Sequence, residues 1–128
     1  MVYIIGAGPG DPELITVKGQ RLLKEADVII YAGSLVNPAL LDYAKADCEI
    51  YNSASMTLGE VIETITAAEQ EGKMTVRLHT GDPAIYGAIQ EQMDELSRRN
   101  IEYTVIPGVS SFLATAAALK QEYTLPEI

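Results

Sequence analysis

Four short β-like runs in this sequence each lead directly into a loop that contains glycine. The loops occupy residues 6–11, 32–34, 80–83 and 107–111. Such runs, when separated by stretches of helical periodicity, predict the strands of an open, mostly parallel α/β sheet. Ligands of these sheets bind beyond the carboxyl ends of the strands, so we expect the four loops to meet at one rim.

None of the four loops contains a lysine or an arginine, and their charged residues are Asp11 and Asp82. Glycine allows the backbone to approach a ligand closely, because it has no Cβ atom. A phosphate group favours basic side chains, which these loops lack. The loops therefore predict a site for a flat, partly cationic small molecule rather than for a nucleotide phosphate.

The composition narrows the class of protein. A chain of 128 residues with 48% hydrophobic and 21% charged residues is typical of one soluble globular domain. The net charge of −9 argues against nucleic acids and anionic membrane surfaces as partners. Cys48 is the only cysteine, which rules out an internal disulfide and favours a cytoplasmic location. We also expect no zinc site, no signal peptide and no membrane-spanning segment.

Strand-like and helix-like segments alternate along the chain. Strands are predicted at residues 2–5, 27–31, 49–51, 74–78 and 102–106. The predicted helices begin near Thr16, Pro38, Thr57, Ile85 and Ser110. Five strands interleaved with helices predict a three-layer αβα sandwich around a mostly parallel five-stranded sheet.

The first and third glycine loops also allow less specific interpretations. Residues 6–11 fail the dinucleotide-binding fingerprint, because Asp11 stands where the third glycine belongs and Pro9 interrupts the spacing. In the third loop, Thr80 or Asp82 can equally cap the following helix without touching a ligand. His79, at the end of the strand before it, fits a core or rim residue better than a catalyst.

The last loop and the segment after residue 83 have two interpretations each. Ser110 and Ser111 either cap the last helix or bind a ligand through their hydroxyls and amides. A serine nucleophile is not predicted, because the sequence has no Gly-x-Ser-x-Gly elbow. Tyr86 is either a half-buried aromatic residue or one that lies over a ligand.

Taken together, the loops resemble those of the tetrapyrrole methylase family, whose members use S-adenosylmethionine. The similarity to the amino-terminal signature of the family lies in GAGPGDPELITVKG at residues 6–19. Further family motifs are matched by GDPAIYG at residues 81–87 and PGVSS at residues 107–111. Within the family, YAGSLVNP at residues 31–38 and SASMT at residues 53–57 look like the members that methylate C11 of precorrin-4 or cobalt-precorrin-4 in cobalamin biosynthesis.

The resemblance implies a methyltransferase with S-adenosyl-L-methionine as cofactor, S-adenosyl-L-homocysteine as product and a corrinoid or other tetrapyrrole as substrate. It places the methyl donor against Pro9, Thr80, Gly81, Asp82, Ile85, Ser110 and Ser111, with Tyr86 as a neighbour. It places the tetrapyrrole cleft beside Gly8, Gly10 and Asp11. Asp82 is expected to hold the ammonium group of the donor, and no residue is identified as the catalytic base.

Members of this family carry two α/β domains, with the donor bound between them. The resemblance implies that residues 1–120 form the first domain and that residues 121–128 begin the interdomain connector. The C-terminal domain is then absent from this chain, which we expect to be inactive by itself and to form a homodimer as the complete protein. The alternatives are a methylase of uroporphyrinogen or another precorrin, a non-catalytic nucleotide-binding module, and an assembly domain.

Overall fold

The computed structural model describes residues 1–85 and 88–124. Within these ranges the strands are β1 Val2–Gly6, β2 Val28–Tyr31, β3 Glu49–Asn52, β4 Thr75–His79 and β5 Tyr103–Ile106. The α-helices are α1 Val17–Glu25, α2 Leu58–Gln70, α3 Gln90–Arg98 and α4 Ser111–Leu119. Short 3-10 helices lie at Pro12–Leu14, Gly33–Leu35, Pro38–Tyr43 and Ser53–Ser55.

All five of these strands run parallel, in the order β3-β2-β4-β1-β5. The register pairs Ile4 of β1 with Arg77 of β4, and Arg77 in turn with Ile30 of β2. Strand β4 therefore lies at the centre of the sheet between β2 and β1, and β3 and β5 form its edges. The parallel sheet confirms the predicted fold class, and it places the carboxyl ends of all five strands on one side of the domain.

The sheet is covered by helices on both faces, because successive side chains of a strand point to opposite sides. Ile5 belongs to a core cluster with Leu22 and Leu23 of α1. Ile4 belongs to a second cluster with Ile62 of α2 and Leu96 of α3. The two clusters are the two sides of the predicted three-layer sandwich.

Local capping explains where most helices begin. The Thr16 side chain accepts a hydrogen bond from the Gly19 amide at the start of α1, and Thr57 and Glu60 form the predicted capping box of α2. The short helix predicted to start at Pro38 is present as a 3-10 helix, Pro38–Tyr43. One prediction needs correction, because α3 begins at Gln90 rather than near Ile85.

The described helices are short. No helix in residues 1–85 or 88–124 is both long enough and apolar enough to cross a membrane.

Candidate functional site

The loops that follow β1 and β4 are joined by backbone hydrogen bonds. The Gly8 amide donates to the Gly81 carbonyl at 3.2 Å, and the Gly81 amide donates back to the Gly8 carbonyl at 2.8 Å. The Ala7 amide donates to the carbonyl of His79, the last residue of β4. These bonds extend the sheet pairing into the loops, so the two loops form one backbone unit at the carboxyl rim.

Three glycines allow the loop after β5 to join this unit. A Cβ atom built on Gly108 would lie 2.2 Å from the Gly81 carbonyl oxygen and 2.8 Å from the Gly6 Cα atom. A Cβ atom on Gly6 would lie 2.6 Å from the Gly108 Cα atom. Gly81 itself has φ 62°, a left-handed conformation that favours glycine. We call Gly6, Gly81 and Gly108 the glycine contact.

Asp82 ties the loop after β4 to the loop after β5. One carboxylate oxygen accepts a hydrogen bond from the Gly108 amide at 3.0 Å, and the other accepts from the Ala84 amide at 2.8 Å. Asp82 therefore caps a turn and does not cap the following helix, because α3 begins only at Gln90. A carboxylate has about four lone-pair sites, so Asp82 can also accept from a ligand.

A cleft of ≈ 190 Å³ opens where these loops meet. It lies between the segment after β2, the loop after β4 and the first turn of α4. Its walls are Leu35, Thr80, Gly81, Asp82, Ile85, Ser110, Ser111 and Phe112. We call it the rim cleft. Six of its wall residues are among those that the family resemblance places against a methyl donor.

The remaining predicted donor residues lie elsewhere or outside the described residues. Pro9 is half-buried in the loop after β1 and is not one of the residues that line the rim cleft. Tyr86 lies outside the residues that the structure describes. Ser110 caps α4, since its hydroxyl oxygen accepts a hydrogen bond from the Phe112 amide at 3.2 Å.

The residues predicted to border a tetrapyrrole cleft form a short stretch of the loop after β1. Gly8 is buried against the loop after β4, while Asp11 is exposed. The Asp11 carboxylate accepts a hydrogen bond from the Glu13 amide and so caps a 3-10 helix. The Gly10 carbonyl accepts from the side-chain amide of Asn37 at 2.7 Å, which joins this loop to the segment after β2.

A second cleft of ≈ 320 Å³ lies beside the rim cleft, over the carboxyl ends of β2 and β4. It shares two wall residues, Leu35 and Thr80, with the rim cleft. The walls of this second cleft are Ala32, Leu35, Arg77, His79, Thr80, Ala88 and Gln92. We call it the polar cleft, because it contains two buried side chains that can carry charge.

Arg77 and His79 stand two residues apart on β4, and both are buried. Arg77 Nε donates to Gln92 Oε1 at 3.0 Å, and Nη1 donates to the Ile30 carbonyl at 3.2 Å. Burial lowers the pKa of Arg77 to about 10. Burial and the nearby Arg77 lower the pKa of His79 to about 4, so this imidazole is neutral at neutral pH.

Sequence reasoning identified His79 as a core or rim residue but did not single out Arg77. The signal for Arg77 was present, since an arginine stands in the middle of a run that reads as a central strand. Central strands of a parallel sheet are covered on both faces, so an arginine there has to be buried.

Neither cleft offers a metal centre. The described part of the chain contains no group of three or more His, Cys, Asp or Glu residues that could hold a metal ion. The walls of the rim cleft combine a carboxylate with hydroxyls and backbone polar groups, and none of them is basic.

These features of fold and rim agree with comparisons to known proteins. The sequence profile of the Tetrapyrrole (Corrin/Porphyrin) Methylases matches residues 1–128. The chain therefore belongs to this family. A cobalt-precorrin-4 C(11)-methyltransferase of Methanocaldococcus jannaschii is 63% identical over 127 residues, which cover 99% of this chain and 49% of that protein.

Solved structures agree with this relationship. The X-ray structure of a cobalt-precorrin-4 methyltransferase, a cobalamin biosynthetic enzyme, has a TM-score of 0.97 and 52% identity, covering 99% of this chain and 53% of that one. A uroporphyrin-III C-methyltransferase from Thermus thermophilus, complexed with S-adenosylhomocysteine, has a TM-score of 0.77 and 38% identity over 90% of this chain and 47% of that one. The chain spans about half the length of the curated relatives it matches.

Proposed function

We propose that this chain is the N-terminal part of a methyltransferase that transfers a methyl group from S-adenosylmethionine to C11 of precorrin-4 or cobalt-precorrin-4 in cobalamin biosynthesis. Relatives at 63% and 50% identity, from M. jannaschii and Pseudomonas aeruginosa, have the names of C(11)-methyltransferases of these two substrates. Residues 1–120 would be one domain of the complete protein, and residues 121–128 would begin the connector to the next.

The rim cleft is the observation that supports this proposal most directly. A sulfonium donor has a positive charge at sulfur and an ammonium group, both of which a carboxylate attracts and a basic side chain repels. The described walls provide the carboxylate of Asp82 and the hydroxyls of Thr80, Ser110 and Ser111, without lysine or arginine. The chemistry of the wall residues therefore fits the donor.

We propose that Thr80, Gly81, Asp82, Ile85, Ser110 and Ser111 bind the donor, together with Pro9 and Tyr86. Asp82 holds the ammonium group with the lone pairs that its two backbone contacts leave free. The hydroxyl and amide groups of Ser110 and Ser111 form hydrogen bonds with the polar groups of the donor. The tetrapyrrole lies against Gly8, Gly10 and Asp11, on the β1 side of the rim.

The reaction requires alignment more than activation. The bound donor supplies a methyl group on positive sulfur; C11 forms the new bond, sulfur keeps the electron pair of the broken bond, and the macrocycle afterwards loses a proton. The chain contributes by holding the reactants in line and by excluding water, which are the main demands of such a displacement. The proposal names no catalytic base.

Calorimetry on the full-length gene product tests the donor site. We expect S-adenosylhomocysteine and S-adenosylmethionine both to bind, with ATP and NAD as controls that do not bind. Absence of binding by both methionine-derived ligands would refute the proposal, whereas binding of ATP or NAD alone would favour a nucleotide-binding module.

A uroporphyrinogen methylase is the second candidate, because a uroporphyrinogen-III C-methyltransferase of Cyanidium caldarium is 44% identical over 125 residues, 93% of this chain and 49% of that protein. The two candidates differ in the carbon that gains the methyl group. Precorrin-4, cobalt-precorrin-4 and uroporphyrinogen III should be incubated separately with the full-length gene product and a ¹³C-methyl donor. We expect NMR to show a labelled methyl group at C11; label only on uroporphyrinogen would select the second candidate.

We further propose that the complete protein is a cytoplasmic homodimer. The exposed apolar side chains of Phe112 and Leu113 at the start of α4 support a role of this face in packing against another protein surface. Light scattering of the full-length gene product checks the dimer, and a monomer at micromolar concentration would exclude it. Cell fractionation checks the location.

A further inference from the structure

Arg77 is a buried cation with no acidic partner in the described part of the chain. Its side chain is 6% exposed, and its two hydrogen bonds go to the neutral amide of Gln92 and to a backbone carbonyl. No salt bridge between described residues involves it, although each of the other two arginines in the second half of the chain pairs with Glu95. A buried charge is normally paired, so this exception requires an explanation.

The neighbours of Arg77 on β4 do not neutralise it. His79 is 4% exposed and neutral at neutral pH, and its Nε2 atom has no hydrogen-bond partner within the described residues. Thr75, on the same face of β4, is also buried and leaves its hydroxyl oxygen unpaired there. The guanidinium keeps its proton at neutral pH, because even its lowered pKa lies well above 7. The polar cleft therefore has a fixed positive charge at its wall.

We propose that the polar cleft is a carboxylate-binding subsite and that Arg77 is the residue that recognises the carboxylate. An anion in this cleft would supply the acidic partner that the described residues do not, and hydrogen bonds between a guanidinium and a carboxylate are among the strongest in proteins. The volume of ≈ 320 Å³ accommodates a carboxylate on a short alkyl arm.

The position of the cleft indicates where the carboxylate comes from. The polar cleft shares Leu35 and Thr80 with the rim cleft, so a ligand that fills the rim cleft lies directly beside it. On the proposed function, on which this inference rests, two carboxylates are available there. One is an acetate or propionate side chain of the tetrapyrrole, and the other is the α-carboxylate of the methyl donor.

A purely structural role for Arg77 makes a different prediction. Its bonds to the Ile30 carbonyl and to Gln92 link β2 to α3, and this link alone could justify the burial. Gln92→Glu separates the two roles, because it places a carboxylate of the chain at the position 3.0 Å from Arg77 Nε. If Arg77 serves only the fold, the new ion pair leaves ligand binding unchanged. If Arg77 binds a carboxylate ligand, the internal carboxylate competes with the ligand.

The experiment compares four variants of the full-length gene product with the wild type. Arg77→Met removes the charge and keeps the length of the side chain, while Arg77→Lys keeps the charge without the planar fork. Gln92→Glu places a negative charge of the chain itself beside the Arg77 guanidinium. Gln90→Glu adds the same negative charge at an exposed position of the same helix. Each variant is measured for its thermal unfolding midpoint and for the dissociation constants of S-adenosylhomocysteine and of uroporphyrin III, a tetrapyrrole with eight carboxylates.

We expect Gln92→Glu and Arg77→Met to weaken one of the two ligands by about tenfold or more, the value of a charged hydrogen bond. Arg77→Lys should recover part of this loss, and Gln90→Glu should change neither affinity. A loss confined to uroporphyrin identifies the substrate as the source of the carboxylate, and a loss confined to S-adenosylhomocysteine identifies the donor.

Unchanged affinities for both ligands in a folded Gln92→Glu variant would overturn the inference and leave the proposed function standing. Failure of the wild type to bind either ligand would overturn both. Should Arg77→Met fail to fold, Gln92→Glu still decides the question, because glutamate has nearly the shape of glutamine and retains an acceptor oxygen for Arg77.

Discussion

The carboxyl rim of the sheet has two sides that are built in opposite ways. On the side of β1, β4 and β5, the loops meet through backbone atoms, and there is no room for a Cβ atom at Gly6 or Gly108. On the side of β2 and β4, the polar cleft has three long polar side chains in its walls, those of Arg77, His79 and Gln92, and the first two are buried on one strand. Strand β4 belongs to both sides, and Thr80 stands at their border.

The two sides also differ in charge. Among the described residues, the rim cleft contains the carboxylate of Asp82 and no basic side chain, while the polar cleft contains the guanidinium of Arg77 and no acidic one. One side therefore favours a cation and the other an anion. A ligand with both charges, or two ligands bound side by side, would satisfy the whole rim. The backbone therefore fixes the shape of this site, and the side chains of Asp82 and Arg77 fix its polarity.

The largest effect should follow from a substitution at the glycine contact. Gly108→Ala would place a Cβ atom 2.2 Å from the Gly81 carbonyl oxygen, and neither backbone can move without breaking the loop hydrogen bonds. We expect the free energy of unfolding to fall by about 3 kcal/mol or more, at the upper end for overpacked sites. Urea unfolding of the full-length gene product measures this loss.

Gly59→Ala is the matched control for that substitution. Gly59 lies in the first turn of α2, where the nearest atom to a new Cβ would be the Thr57 hydroxyl oxygen at 3.8 Å. Alanine favours the helix over glycine by about 0.5–1 kcal/mol, so this variant should be slightly more stable than the wild type. Equal losses at both positions would show that the glycine contact is not special.

On the polar side, the second largest effect should be a dependence of stability on pH. The pKa of His79 is 6.5 in an unfolded chain and about 4 in the folded one, so the unfolded state binds more protons between these values. Stability is then complete above pH 6.5 and is lost as the pH falls toward 4. The loss should reach about 3 kcal/mol, from a difference of about 1.4 kcal/mol for each pKa unit.

His79→Gln tests this source of the pH dependence, because glutamine does not titrate. Its free energy of unfolding should vary less between pH 7 and pH 4 than that of the wild type. Asp27 does not contribute to the change in stability between pH 7 and pH 4. The hydrogen bond that it accepts from Lys45 lowers its pKa below 3.8, so the stability that it adds is lost only at a lower pH. Parallel curves for variant and wild type would contradict the prediction.

The sequence was sufficient for the glycine side of the rim and insufficient for the polar side. Glycine after an apolar run, and Thr57 three residues before Glu60, are local patterns with a local physical cause. The burial of Arg77 depends on α3 covering that face of β4, which is a contact between distant segments. The strand order depends on such contacts too, since five parallel strands can be arranged in several ways.

Local patterns also predicted the existence of the helices and strands better than their bounds. The apolar spacing of Ile85, Ile89 and Met93 suits a helix from residue 85, yet α3 begins only at Gln90. Residues 82–84 instead form a turn, in which the Asp82 carboxylate accepts a hydrogen bond from the Ala84 amide. This bond has the same form as the one that Ser110 accepts at the start of α4, so it does not by itself explain why α3 begins later.

Asp82 joins the loops after β4 and β5 on the glycine side of the rim, and its substitution should have an intermediate effect. Asp82→Asn keeps an acceptor for the Ala84 amide but turns an NH₂ group toward the Gly108 amide, so one hydrogen bond is lost. We expect a loss of about 1–2 kcal/mol in the free energy of unfolding. On the proposed function, calorimetry should also show about tenfold weaker binding of S-adenosylhomocysteine.

Asp11→Asn is the control for this substitution, because the Asp11 carboxylate caps only an exposed turn. This variant should change the free energy of unfolding by no more than about 0.5 kcal/mol.

The smallest effect should come from the hydrogen bond that joins the two sides, from Asn37 to the Gly10 carbonyl. Asn37→Asp keeps the oxygen that accepts from the Ala39 amide, but it replaces the donor to Gly10 with a second acceptor. We expect the free energy of unfolding to fall by about 1 kcal/mol. We also expect faster hydrogen exchange of the Leu14 amide, which donates to the Asp11 carbonyl within the same loop.

Asn52→Asp is the control, since Asn52 caps the turn after β3 in the same way, by accepting from the Ala54 amide. If both variants change exchange at Leu14 equally, the cause is added charge. If only Asn37→Asp does, a single side-chain amide fixes the position of the β1 loop relative to the segment after β2, and the two sides of the rim are held as one site.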